Sequence, residues 1–243
     1  MGKNGRGGDG RGGEGAGRAR EAGHAGQETG YAEEDGRLTL RERKKLRTRQ
    51  RISGEATLLF IERGFDNVTV AEVARAAEVS TMTVFNYFPR KEDLFLDRIP
   101  EGHELVTRAV RERAGDETPL AALRRLAFDL LARRHPLGGV GEGFAYFWQT
   151  VLDSPALRAR GREAVEEIEN TLAGLLVEAA GEEGEPGDAR LAAALIVAAY
   201  RVAYAGAAAR QLAGDPAEEV AADQEAVLRR TFEALERALP GGG

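Results

Sequence analysis

Residues 69–91, TVAEVARAAEVSTMTVFNYFPRK, commit this part of the chain to two short helices meeting at a tight turn. Thr69 supplies the hydroxyl an N-cap needs, and Glu72 stands where its carboxylate can reach back to the Thr69 amide, forming a capping box. Val70, Val73, Ala74 and Ala77 recur at helical spacing, so one face is expected to be buried while Glu72 and Arg75 stay in water. This helix should end near Ala77. Ser80 can cap a second helix over about 81–88, with Val84 and Phe88 on one face, Phe85 beside Val84, and Thr81, Met82 and Asn86 facing outward. Pro89 cannot donate an amide hydrogen and disfavours helix at the residue before it, which stops the second helix near Phe88. The pattern is that of a helix-turn-helix, and spacing alone fits a helical hairpin of any bundle equally well.

Neighbouring residues separate the two. The string from Ser80 to Phe95, STMTVFNYFPRKEDLF, preceded by FIERGFDNVTVAEVA from Phe60 to Ala74, resembles the tetracycline-repressor (TetR) family of bacterial one-component regulators. The likeness is dense over about residues 44–98 and fades afterward. Where the family usually has Gly in the turn this chain has Glu78, and a left-handed Glu costs on the order of 1–2 kcal/mol, which a packed hairpin can absorb.

The resemblance implies sequence-specific binding of an operator in double-stranded DNA, with the second helix of the hairpin in the major groove. Thr81, Met82 and Asn86 are then nearest the base edges. The Asn86 amide can bond adenine bidentately, and Met82 can contact a thymine methyl group. Ser80, Thr83, Tyr87 and Lys91 match positions that often hold phosphates, and Thr69 with the amino end of its helix can do the same. Phe85 stands where the family often has Tyr, so a hydroxyl contact is missing there. Phe88 is expected in the core, whereas Tyr87 divides between core and phosphate.

The net charge of −6 is unusual for a DNA binder until it is divided along the chain: −2 over residues 1–36, +4 over 37–95 and −8 over 96–243. Residues 1–36 hold 13 of the 31 glycines and almost no large apolar groups, and read as a disordered tail. The segment Arg37–Arg51 has 8 basic residues and a single acid, Glu42, so Lys44, Lys45 and Arg49 are expected to neutralise phosphates. It leads into a helix over about 41–63 that should bury Ile52, Ala56, Leu59 and Phe60 and stop at Gly64, with Phe65 folding back into a three-helix core. The DNA-binding domain is therefore expected over 37–90.

A helical body over 91–239 should follow, giving an all-α fold. Glu92 and Asp93 suit the first turn of a connecting helix over about 91–113. Thr118-Pro119, Ser154-Pro155 and Asp215-Pro216 each pair a capping side chain with Pro at a helix start. Phe144, Tyr146, Phe147, Trp148 and Leu152 crowd one short helix, and Tyr200 and Tyr204 lie four apart on a long Ala-rich one. Such residues are core or the lining of an apolar pocket with polar handles. Since the resemblance implies a small-molecule effector, Phe144, Phe147, Trp148, Leu152, Tyr200 and Tyr204, with His103 and Phe128, are the candidate lining. His135, Gln149 and Arg201 are further polar candidates.

The last two helices, about 188–213 and 216–239, are rich in small residues and can form a four-helix bundle with a second copy, as family members do. A homodimer also doubles the bases one short helix can read, and implies a roughly palindromic operator. No cysteine is present, no run approaches a membrane span, and the first residues lack the apolar core of a signal peptide, so a cytoplasmic protein without membrane partner is expected. Neither a Gly-rich phosphate loop, a metal-ligand His spacing nor a catalytic triad stands out, so neither enzymatic activity nor a cofactor or metal is expected. The reading is a repressor released from its operator by a small, largely apolar ligand. The alternative is a DNA-binding regulator governed by a protein partner.

Overall fold

The computed structural model describes residues 39–181 and 185–239, so the expected tail over 1–36 lies outside the described residues. Among those described, the chain forms nine α-helices, three single-turn 3-10 segments and no strand. The first helix, α1 (Leu40–Arg63), opens on a second capping box: the Glu42 carboxylate accepts from the Thr39 amide at 2.8 Å, and the Thr39 hydroxyl accepts from the Glu42 amide at 3.3 Å. Its inner face is Ile52, Ser53, Ala56 and Phe60. Gly64 ends it at φ 81°, where a side chain would be strained, though ψ 144° is extended rather than the left-handed helical value expected. Phe65 folds back as expected, its ring 4.8 Å from that of Phe60.

Helices α2 (Val70–Ala76) and α3 (Thr81–Tyr87) make the hairpin. The Glu72 carboxylate accepts from the Thr69 amide at 2.8 Å, and the Ser80 hydroxyl accepts from the Thr83 amide at 3.0 Å. Between them Glu78 sits at φ 50°, and the Val79 amide returns to the Ala74 carbonyl at 2.9 Å. Val73, Ala74, Ala77, Val84 and Phe88 are buried against Ile52, Ala56, Phe60, Phe65 and Val68.

This core continues past residue 90. Leu94 and Phe95 are buried in it, and so is Leu157 from much later in the chain. The single helix expected over about 91–113 is accordingly interrupted: Glu92–Leu94 is one 3-10 turn, and α4 (Ile99–Arg111) begins only after Arg98. Leu94 and Phe95 must both turn into the hairpin domain, and Pro100, which has no amide hydrogen, fits the first turn of a new helix better than the interior of an old one.

The body comprises α4, α5 (Pro119–Ala132), α6 (Phe144–Asp153), α7 (Pro155–Ala180), α8 (Pro186–Leu212) and α9 (Ala217–Ala238). Thr118 and Ser154 cap α5 and α7 ahead of proline as expected. Asp215 does not cap α9; its carboxylate is held by Arg210 at 2.6 Å and Pro216 occupies the cap position. The core gathers Val110, Leu123, Leu131, Leu172, Leu175, Ile196, Leu228 and Phe232, with α8 packed on both α7 and α9.

Helix α8 also fixes the loop between α5 and α6. Buried Gln211 clamps that loop, donating to the Gly139 carbonyl at 2.8 Å and accepting from the Gly141 amide at 3.2 Å. Gly139, at φ 74°, lies so close under the Tyr204 ring that a Cβ there would meet it at 2.1 Å. Against expectation, α8 is long and apolar enough to cross a membrane by length and composition. Its apolarity has two destinations: Ala193, Ile196, Ala203 and Ala207 enter the core, while Leu191 and Val202 stay 59% and 71% exposed.

Candidate nucleic-acid interface

Helix α3 is pinned on one side and open on the other. Val84 is fully buried, as is Phe88 just past the helix end, while Thr81, Met82, Phe85 and Asn86 are exposed, Met82 by 69% and Phe85 by 45%. Two large apolar side chains standing in water beside an amide form a surface suited to a groove lined by thymine methyls and base edges. Ser80 and Thr83 pair through their hydroxyls at 2.8 Å, at the amino end of α3. Thr69 is exposed at the start of α2, where its Glu72 partner is held below the ordinary carboxylate range by hydrogen bonds from the Thr69 backbone and hydroxyl.

The basic arm shares this surface. Lys44 and Lys45 are exposed on the first turns of α1 and, with Thr39, Arg41, Thr48 and Tyr87, line a recess beside α3. Tyr87 is half-buried against the core and borders this recess.

Two expected phosphate contacts are turned inward. Arg49 donates to the Tyr87 carbonyl at 3.0 Å and the Asp97 carbonyl at 2.8 Å, with its guanidinium 4.3 Å over the Phe88 ring. It therefore ties the last turn of α3 to the segment entering the body. Lys91 donates to the Phe65 carbonyl at 2.7 Å and lies 4.2 Å over the Phe65 ring, and burial lowers its pKa against the pull of Asp66 and Glu92. Both cations satisfy carbonyls at helix ends and turns, a use that local sequence does not reveal.

The hairpin domain and the body are joined by apolar and ionic contacts. Phe95 stacks on Phe147 of α6, Arg160 of α7 pairs with Asp93 at 2.9 Å, and the Ser154 hydroxyl donates to Asp66 at 3.1 Å. Beside this joint a recess of about 380 Å³ opens between the end of α1 and α6, bordered by Asp66, Asn67, Tyr146, Gln149 and Asp153. Burial raises the pKa of the Asp97 carboxyl, with Arg98, Ser53 and Arg49 acting against it.

Of the expected ligand-lining residues, the structure brings five into one row. Phe144 and Trp148 flank Phe147 at 5.8 and 5.2 Å, Tyr204 meets Trp148 at 5.2 Å, and Tyr200 lies 6.0 Å from Tyr204. The Tyr200 hydroxyl donates to the Leu137 carbonyl at 3.3 Å, and burial pushes its pKa up to about 12. The remaining three stand apart. Phe128 packs against the main core below Arg124, His103 hydrogen bonds Thr171 of α7 at 3.0 Å, and Leu152 is 47% exposed and lines no interior. His135 accepts the Leu137 amide at Nδ1, which leaves Nε2 to donate to Glu101 at 3.1 Å; Glu101 also binds Arg98 at 2.8 Å. Gln149 bonds Asp153 on its own helix, and Arg201 is exposed. The Glu101–His135 pair and the Gln211 clamp escape a reading of the sequence, because their partners lie 34 residues away in the first and 70 and 72 in the second.

Residues 54–97 match the family model described as bacterial regulatory proteins, tetR family. The chain is 33% identical over 165 residues to the HTH-type transcriptional regulator TcmR of Streptomyces glaucescens, an alignment covering 67% of this chain and 72% of that one. Its fold is similar to that of a TetR-family regulator from Mesorhizobium loti, with a TM-score of 0.53 and 19% identity over 80% of this chain and 98% of the other. The structure of a SmeT–triclosan complex is also similar, with a TM-score of 0.52 and 17% identity over 77% and 91% of the two chains. The exposed face of α3, the helix-turn-helix that holds it and the extent of the TcmR likeness make one assignment: the chain belongs to the tetR family of bacterial regulatory proteins, DNA-binding regulators of transcription.

Proposed function

We propose that this chain is a cytoplasmic homodimeric repressor that lays α3 of each protomer in the major groove of a palindromic operator and lets go when a small, largely apolar molecule enters the body. The observation that carries the reading is the division of α3, with Val84 and Phe88 locked in the core while Thr81, Met82, Phe85 and Asn86 stand free beside Lys44 and Lys45. Asn86 serves as the base-reading amide. Ser80, Thr83, Tyr87, Lys44 and Lys45, with Thr69 at the amino end of α2, position the phosphates.

Dimerisation is supported by the uncovered stripe of α8, where Leu191, Leu195, Ala198, Val202 and Gly206 share one exposed side. A second copy of the same stripe, with α9 beside it, would cover it as an isologous four-helix contact. Ligand control is supported by the aromatic row and by the fold shared with SmeT, whose complex holds triclosan. A molecule that displaces the row moves Phe147 against Phe95, and Arg49 carries movement at Asp97 to the end of α3. The spacing of the two α3 helices in the dimer then changes.

The test is a mobility shift on DNA upstream of the protein's own gene, at two salt concentrations, with and without triclosan. Specific binding that triclosan weakens supports the reading, and linkage requires the operator to weaken triclosan by the same factor. Ligand that binds without altering operator affinity refutes control by the body.

A further inference from the structure

Of the large apolar side chains between residues 54 and 97, Met82 and Phe85 are the two left exposed, and neither packs against a core cluster among the described residues. Keeping apolar surface in water is unfavourable, and both side chains stand on the face of α3 that buried Val84 turns away from the core. On an α-helix Met82 and Asn86 fall one turn apart in one row, and Phe85 lies about 60° round the axis from Met82 and about 4.5 Å from it along the axis. That separation is close to the rise of one base pair, roughly 3.4 Å, so two contacts made by this pair fall on base pairs beside the one that Asn86 reads.

The chemistry of the groove leaves one partner for them. Base edges in the major groove present hydrogen-bond donors and acceptors, and their one apolar group is the C5 methyl of thymine. Neither a thioether nor a phenyl ring donates a hydrogen bond, so neither can read a base through its N7, O6 or O4 acceptors. The phosphates on this side have partners of their own in Lys44 and Lys45, which with Tyr87 line the recess beside α3. What such side chains detect is the methyl group and not the base that carries it, and 5-methylcytosine displays the same group at the same place in the groove.

We propose that Met82 and Phe85 make this regulator a reader of pyrimidine C5 methyl groups: each half of its operator carries two methyl-bearing pyrimidines within about two base pairs of the Asn86 contact, and 5-methylcytosine substitutes there for thymine. This rests on the reading that α3 occupies the major groove, and it names what the apolar side of that helix recognises. Operator affinity then responds to cytosine methylation at these positions, independently of any ligand of the body.

The inverted repeat enriched from a random library supplies the DNA. Full-length protein is titrated against duplexes in which single thymines of one half-site are replaced by deoxyuridine, which lacks the methyl alone. Two positions should each lose about fourfold in affinity, the contribution of one buried methyl group. Cytosine at those positions should bind more weakly than thymine, and 5-methylcytosine should recover about fourfold over cytosine. Met82→Ala should erase the uracil penalty at one position and Phe85→Ala at the other, each leaving Tm within about 2 °C because the side chain is exposed. Absence of a uracil penalty at every thymine, a penalty that survives in both variants, or 5-methylcytosine binding no tighter than cytosine would each overturn methyl reading while leaving base reading by Asn86 intact. No enriched repeat refutes the groove reading itself, and this inference with it.

Discussion

The Phe95 ring lies stacked on that of Phe147, 5.1 Å away and 13° from parallel, so the core of the hairpin domain and the aromatic row of the body are one continuous packing. Phe60 and Phe65 extend it on one side, and Trp148, Tyr204 and Tyr200 on the other. Phe147→Ala should therefore cost about 3 kcal/mol, lowering Tm by roughly 6–12 °C. Well below that Tm, operator binding should persist while its sensitivity to ligand falls. Unchanged sensitivity, measured by shift assay across a ligand titration, would show that the stack holds the domains together without transmitting anything.

Arg49 and its neighbours Lys44 and Lys45 are expected to separate cleanly. Lys44→Ala with Lys45→Ala should leave Tm within about 1 °C and reduce the slope of log affinity against log salt by about 2. Arg49→Ala should do the reverse, removing two carbonyl partners and costing about 2 kcal/mol with little change in salt slope. Thermal unfolding and binding isotherms over a salt series decide between the roles.

Glu78 holds the hairpin turn at φ 50°, a conformation that glycine adopts without cost. Glu78→Gly should raise stability by about 0.5–1 kcal/mol in a denaturant titration, even after glycine's greater freedom in the unfolded chain is deducted. Destabilisation would mean that the Glu78 side chain contributes more than its backbone costs.

Glu101 sets a pH dependence. Burial acts to raise its carboxyl, but the His135 hydrogen bond and Arg98 outweigh burial and hold it below its ordinary value of 4.5. A carboxyl lowered on folding adds stability above its unfolded value, and that stability is lost as pH falls through the folded value. Glu101→Gln should thus lower Tm by roughly 2–6 °C at pH 7, and the gap should close as pH falls through the lowered folded value. A gap that persisted in acid would assign the loss to packing.

Sequence discloses in this chain what depends on neighbours a few positions away. Thr69 with Glu72, Ser80 with Thr83, and Pro89 each mark a helix boundary through contacts within three or four residues, and all three boundaries fall where those residues place them. Thr39 and Glu42 carry the same signature. A basic side chain near a helix-turn-helix has phosphate as its simplest use, which is why Arg49 and Lys91 read as DNA contacts; their carbonyl partners lie 38, 48 and 26 residues away. The interruption before α4 is only partly hidden. Pro100 marks it locally, since proline suits the first turn of a helix better than its interior, but the burial of Leu94 and Phe95 in a core that also recruits Leu157 depends on distant neighbours. In the body, aromatic content marks the row from Phe144 to Tyr204, yet Leu152 has the same apolar signal and faces outward, since side-chain type does not specify which face of α6 packs.

Base reading by the outer face of α3 underlies the whole functional proposal, and selection from a random DNA library, followed by binding of wild type and Asn86→Ala, tests it most directly. An inverted repeat should be enriched, with Asn86→Ala losing about 10–100-fold on that repeat and almost nothing on scrambled DNA of the same length. No enriched sequence, or an equal loss on both DNAs, would contradict it.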